Sequence, residues 1–277
     1  MVEKLDNYRG GIMTIHILIA CSKRKSVEPK IDLVWNEDTT ISSWSDAWNS
    51  QLEVIPASQL YIGRSFKQQM ELSKNNEVTK THIISAGFGL ISEVETKIPS
   101  YESTLIKINH GPSKKEWHLL PNGGINNINL GKNDLIVSFA PPQYHQVLLA
   151  DPDFDKISSK LIVPSTSPLA SKAKFVIKIH PRAKEVLGVA STDLNTAFLK
   201  VYLTEGQAGF EDLFMKGQAL PRKPERRKIT DEKLVNLVRE LQDISTLKEL
   251  VRHLRDNLLI EASAERISRA RKIIRKE

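Results

Sequence analysis

A short apolar run that stops abruptly at a cationic turn constrains this chain most. Residues 15–20, Ile-His-Ile-Leu-Ile-Ala, lead straight into Cys21-Ser22-Lys23-Arg24-Lys25. So short a run, apolar on both faces, is that of a strand buried within a parallel sheet. In open α/β sheets, ligands sit just beyond the carboxyl ends of the strands, so the change of character marks a site mouth. Cationic donors such as Lys23 and Lys25 suit an anion there, most often phosphate. The plain alternative is a solvated turn, which leaves unexplained why a buried strand delivers Cys21 and Ser22 together.

The pattern repeats along the chain. Residues 81–85 read as a second parallel strand, 134–139 as a third, 160–163 as a fourth and 175–179 as a fifth. Helix-length segments lie between them. Ser58 is placed to cap a helix running to about Ser73 and stopped by Asn75-Asn76. Leu194, Ala197, Phe198, Val201 and Tyr202 fall at helical spacing. Such alternation predicts an α/β fold, a mainly parallel sheet flanked by helices. Ala86-Gly87-Phe88-Gly89 follows the second strand, a glycine turn where backbone can approach a ligand closely. Residues 109–132, rich in Gly, Asn and Lys, are expected to form a mobile excursion. Trp44 and Trp48 stand one helical turn apart beside Trp35, and core packing competes there with base stacking.

Charge divides the chain unevenly. Residues 221–277 hold 16 Lys+Arg against 10 Asp+Glu, leaving 24 against 23 for residues 1–220. The excess belongs to a C-terminal module behind a proline-broken basic linker, residues 220–228. Beyond it, Thr230, Thr246 with Glu249, and Ser263 are each placed to cap an amphipathic helix. The expected domains are therefore 1–220, α/β, and 221–277, a small basic helical bundle suited to nucleic acid or to oligomerisation. A single cysteine excludes an internal disulfide and a Cys-rich metal site, and fits a reducing compartment. The absence of a membrane-length apolar run or a signal-peptide core points to a cytoplasmic chain. Met13 precedes the first strand, so residues 1–12 read as a dispensable extension. The pattern asks for no cofactor and no metal.

Four blocks then invite a comparison: Cys21-Ser22-Lys23-x-Lys25, Pro56-Ala57-x-x-Leu60-Tyr61, Ile84-Ser85-Ala86-x-x-Gly89-Leu90-Ile91, and Pro99-x-Tyr101-Glu102-x-Thr104-Leu105. Together they resemble a bacterial and phage family carrying these blocks in this order, over about residues 14–110. Gly87 stands where that family often has lysine, and Glu102 where it often has aspartate. More remotely, the Cys-Ser-Lys block resembles one in archaeosine synthases, which implies a uracil-DNA-glycosylase-like fold. Ser167-Pro168-Leu169-Ala170 is similar to the glycosylase loop that pushes a leucine into the duplex. The histidine preceding that loop is replaced here by Ser165, and the glycosylase's water-activating block is missing. The resemblance extends to phage-defence DNA glycosylases that excise glucosylated hydroxymethylcytosine.

What this resemblance implies is excision of a modified base from double-stranded DNA by base flipping. Such chemistry needs a carboxylate near the sugar, donors at the base, and aromatic or apolar groups to replace it in the stack. Glu102 beside Tyr101 is the first choice for the carboxylate, with Glu93 and Asp38 as alternatives. Tyr101 and Ser22 are further catalytic candidates, and Cys21 is an alternative covalent nucleophile. Lys23, Lys25, Arg64, Ser85, Gly87, Gly89 and Ser167 are candidates for substrate binding, Trp35 for stacking, and Leu169 for the wedge. His180 and Arg182 suit phosphate or base recognition, although a salt bridge explains Arg182 equally well. The alternative is a non-hydrolytic nucleotide- or nucleic-acid-binding module, or an accessory to RNA base modification.

Overall fold

The computed structural model describes residues 13–74, 79–106, 109–221 and 224–275. The extension at residues 1–12, the Asn75-Asn76 helix stop and Arg222-Lys223 of the linker lie outside these. The chain divides into two compact units, Met1–Ala219 and Leu220–Glu277. No helix among the described residues is long and apolar enough to cross a membrane.

The first unit is built on eight strands: β1 (Ile15–Ala20), β2 (Ile55–Pro56), β3 (Thr79–Ser85), β4 (Gly89–Ile91), β5 (Lys97–Ile98), β6 (Leu135–Ser138), β7 (Leu161–Pro164) and β8 (Phe175–Ile177). Six of them form one sheet in the order β4-β3-β1-β6-β7-β8, while β2 and β5 pair separately. All pairings within the large sheet are parallel except β3 with β4. All five sequence-predicted strands are therefore present. Ile17, Leu18 and Ile19 of β1 are buried on both faces, as a central parallel strand requires.

Strand order reverses at β1: the chain goes to one side for β3, then crosses back to β6 on the other. Because crossovers are right-handed, connections leading in opposite directions lie on opposite faces of the sheet. The β1–β6 boundary is thus the topological switch point, the place where open α/β sheets bind their ligands. The helices α1 (Ile41–Asn49), α2 (Ala57–Leu60) and α3 (Arg64–Lys74) lie in the β1–β3 connection, and α4 (Pro142–Ala150) follows β6.

Several local expectations are corrected. Ser58 does not cap one long helix. It lies inside α2, donates to Glu95, and the chain breaks at residues 61–63 before α3 begins. Residues 109–132 are irregular but packed rather than a loose excursion. Trp117, Leu120 and Ile125 are buried, and Trp117 Nε1 donates to the Ser85 carbonyl at 2.8 Å. The glycine turn after β3 reverses the chain into the edge strand β4. Gly89 has φ +92°, and a Cβ there would stand 2.1 Å from the Gly123 carbonyl oxygen. Trp35, Trp44 and Trp48 are all buried, with Trp44 in ring contact with both of the others, so they pack the core rather than await a base.

In the second unit, Thr230, Thr246 and Ser263 each accept the backbone N–H three residues on, as expected of N-caps. The helices are Asp231–Glu240, Leu247–Arg252, extended by a wider turn at His253–Asn257, and Ala264–Ile274. Leu234, Val238, Leu250, Leu254 and Ile267 form a core of their own. Unforeseen in the sequence is a short parallel pair, Arg227–Lys228 with Ile260–Glu261.

Candidate functional site

The floor of the site is a ring of hydroxyls at the end of β3. Tyr61 donates to Ser85 Oγ at 3.1 Å, Ser85 Oγ lies 2.6 Å from the Tyr101 hydroxyl, and the two tyrosine hydroxyls are 2.8 Å apart. Each hydroxyl can donate once around this ring, while Ser85 also accepts the Phe88 N–H at 3.0 Å. All three side chains are buried. Burial first, then the nearby Cys21, pushes both phenols well above their ordinary value. Tyr101 therefore stays protonated and walls the site from below; Ser85 is a structural hub that meets no ligand.

Gly87 serves the same floor. A Cβ on it would stand 2.6 Å from the Tyr101 ring, and its carbonyl accepts Trp44 Nε1–H at 2.7 Å. Gly87 and Gly89 are thus explained by internal close approach rather than by ligand contact. Gly63 does likewise for Ser22: a Cβ there would lie 2.2 Å from Ser22 Oγ, which donates to the Arg24 carbonyl at 3.0 Å. The turn after β1 is further tied down by Ser26 N–H to Leu60 O at 2.9 Å and Ile62 N–H to Arg24 O at 3.0 Å. The Leu60-Tyr61 block and the Cys-Ser-Lys block are therefore physically coupled.

Above the floor, Lys25 Nζ lies 4.3 Å from the centroid of the Tyr101 ring and 5.9 Å from that of Tyr61. Burial lowers the pKa of this amine, and the neighbouring Cys21 and Glu102 partly offset that. Next to Tyr101, Glu102 is exposed, yet its backbone is fixed. Its N–H donates to Leu33 O at 2.8 Å and its carbonyl accepts Trp35 N–H at 2.9 Å. Trp35 thus holds the carboxylate-bearing segment instead of stacking on a base. Ser103 Oγ, donating to Ala86 O at 3.0 Å, ties the same segment to the glycine turn. Glu93 and Asp38 are exposed turn acids without comparable anchoring on both backbone sides.

Cys21 completes the group at the switch point. Its Sγ accepts the Ala86 N–H at 3.4 Å and lies 3.5 Å from the Tyr144 hydroxyl, on α4. The structure therefore brings together Cys21, Lys25, Ser85, Tyr101 and Glu102, with Lys23 exposed on the same turn.

Other sequence candidates have different uses. Leu169 is fully buried, so it is no rim wedge. Its N–H donates to Ser167 Oγ at 3.0 Å, and that hydroxyl lies 2.7 Å from His145 Nδ1. Ser138 Oγ, which donates to Leu18 O, meets His145 Nε2 at 2.8 Å. The histidine therefore carries its proton on Nε2, and burial lowers its pKa to about 4. This neutral relay knits β6, β7 and α4 together and leaves Ser167 and Leu169 no freedom to meet substrate. Arg64 pairs with Asp193 at 3.3 Å and Arg182 with Glu185 at 2.7 Å. His180 accepts the Arg182 N–H and packs edge-on against Phe214. His180 and Arg182 serve helix packing, whereas the Arg64 side chain stays largely exposed.

Sequence reasoning missed Tyr61, Tyr144 and Trp117 as site-shaping residues. Tyr61 stood inside a recognised block and Tyr144 just beyond a strand end; Trp117 carried no local signal. Among the described residues, no three His, Cys, Asp or Glu side chains converge as a metal-binding group. No family model matches the chain, and comparison with curated proteins and with solved structures returns no match.

Proposed function

We propose that the chain is a DNA N-glycosylase of uracil-DNA-glycosylase-like fold that removes a modified base. The observation that carries this reading is a half-buried cation close enough to feel a backbone-anchored carboxylate, both beyond the carboxyl ends of β1 and β3. Lys25 stands over the Tyr101 ring, and Glu102 follows Tyr101 on a segment fixed from both sides. Glu102 takes a proton from water as that water attacks the anomeric carbon. The electron pair of the glycosidic bond leaves with the base, which accepts a proton from Lys25. An ammonium whose proton is held less tightly than that of an exposed lysine suits this donation. Lys23 and Arg24 add positive charge for the flanking phosphates. Resemblance to phage-defence glycosylases makes glucosylated hydroxymethylcytosine the candidate base, which puts the activity in antiviral defence within the cytoplasm.

The second reading, a nucleic-acid-binding module without hydrolysis, draws its support from Leu169, whose burial removes the wedge a base-flipping loop would supply. The deciding experiment is incubation of purified protein with glucosylated, hydroxymethylated and unmodified duplexes, followed by alkali to reveal abasic sites. Alkali-labile sites only in modified DNA, with Glu102→Gln slower by about 10²–10⁴-fold, support the glycosylase. Binding without any abasic product on all substrates leaves the second reading standing.

A further inference from the structure

The second unit carries a basic groove that its helical periodicity does not announce. Arg227–Lys228 pairs in parallel with Ile260–Glu261, and Arg227 N–H donates to Leu259 O at 2.7 Å. This pairing fixes the backbone of a segment that composition alone reads as linker. Beside it opens a groove of about 730 Å³. Arg226, Arg227, Lys228 and Arg255 line it against two carboxylates, Glu225 and Glu261. Arg226 is already engaged, 3.2 Å from Asp256 and donating through Nε to the Arg255 carbonyl at 3.0 Å. Arg227, Lys228 and Arg255 are exposed and have no carboxylate partner among the described residues.

Exposed cations gain little from a single screened carboxylate. They gain more from a polyanion, because binding releases its condensed counterions. We propose that this groove seats the phosphodiester backbone of double-stranded DNA, with Arg227, Lys228 and Arg255 as the phosphate-binding cations. The cations reach the groove from two separate elements, the Arg227–Lys228 strand and the His253–Asn257 turn, a spread suited to the successive charges of a duplex backbone rather than to one small anion. Glu225 and Glu261, which also line the groove, repel phosphate and limit the affinity the cations supply. The choice of duplex DNA rests on the proposed glycosylase reading; recognition of phosphate rests on the groove itself.

The test uses the full chain, a short fluorescent unmodified DNA duplex and a single-stranded RNA of the same length, and anisotropy titrations over a range of salt. Arg227, Lys228 and Arg255 are changed together to Gln. A control changes Lys233, Lys248 and Arg252, three exposed cations elsewhere on the same unit, to Gln. Circular dichroism confirms that both variants fold. The groove variant is expected to bind more weakly and to lower the slope of log K against log salt by about 2–3, since each phosphate left unneutralised removes about 0.9 from it. The control is expected to change the slope by less than half as much, and Glu261→Gln is expected to bind more tightly. Equal losses in the groove and control variants, or no loss in either, overturn the groove. If the groove variant loses affinity for single-stranded RNA but not for the duplex, the assignment to DNA is overturned. Loss of duplex binding in the groove variant, with no excision by the parent protein, supports the groove and overturns only the glycosylase reading.

Discussion

Cys21 Sγ lies 3.5 Å from the Tyr144 hydroxyl, across the boundary where strand order reverses. Cys21 follows β1 and Tyr144 sits on the helix after β6, so their meeting bridges the switch point. Burial, followed by the nearby Cys21, raises the Tyr144 phenol above its ordinary value, so it remains a donor. The sulfur is thus held between that hydroxyl and the Ala86 N–H, with no histidine or carboxylate bonded to it among the described residues to activate it. Cys21→Ser keeps a polar group in place and is expected to leave single-turnover excision within about tenfold of the parent, a change of about 1.4 kcal/mol in barrier. A loss of several orders of magnitude would reassign the thiol to covalent catalysis.

The hydroxyl ring beneath Lys25 predicts a stability phenotype. Tyr101→Phe leaves Ser85 and Tyr61 with one partner fewer in a dry setting, at a cost of about 1–3 kcal/mol. Gly87→Ala drives a methyl group against the Tyr101 ring, and such overpacking costs about 1–3 kcal/mol. Urea denaturation of both variants checks this. Parent-like midpoints would show that the ring is looser than its distances indicate.

The sheet was legible because parallel strands are short, doubly buried and each followed by polar residues. Ile15–Ala20 announces itself in this way. The N-caps Thr230, Thr246 and Ser263 were legible because a cap is a local chemical event three residues long. What failed was long-range. Leu169 and Gly87 carried the residue types of a ligand loop. Yet Ser167, held by His145, ties down the Leu169 backbone, and the Tyr101 ring fills the space above Gly87. Trp117 joins the Ser85 floor from a glycine-rich stretch whose composition reads as loop. Of the site, Cys21, Lys25 and Glu102 could be chosen from sequence, whereas the roles of Trp35 and Tyr101 depended on partners no spacing reveals.

Burial of Leu169 turns a would-be wedge into a stability residue. Leu169→Ala should leave a cavity and cost roughly 2–5 kcal/mol, read as a marked fall in melting temperature. If the protein excises bases, the ratio of activity on duplex to that on single strands should not move. A stable variant that loses duplex activity selectively would restore the wedge.

Stability should also fall as pH drops through a window set by buried histidines. Asp134 Oδ2 lies 3.1 Å from His16 Nε2, and His16 Nδ1 lies 2.8 Å from His82 Nε2. The carboxylate fixes the His16 proton on Nε2, so Nδ1 accepts from His82. A proton added to His16 Nδ1 would face the His82 N–H. Burial lowers the pKa of His16, and lowers that of His82 to about 3, with the His16 ring and Lys80 opposing charge further. Burial alone lowers His145 to about 4. Each group is therefore depressed in the fold relative to the unfolded chain, near 6.5. Between those values the unfolded chain binds more protons, so lowering the pH favours unfolding. Stability is fully present above about pH 6.5 and declines toward pH 3–4, by up to about 1.4 kcal/mol per pH unit for each histidine. Urea midpoints at constant salt from pH 7.5 down to 4.5 measure this, and His145→Gln should make the slope shallower by one proton. A flat profile over that range would mean the histidines do not remain buried and neutral.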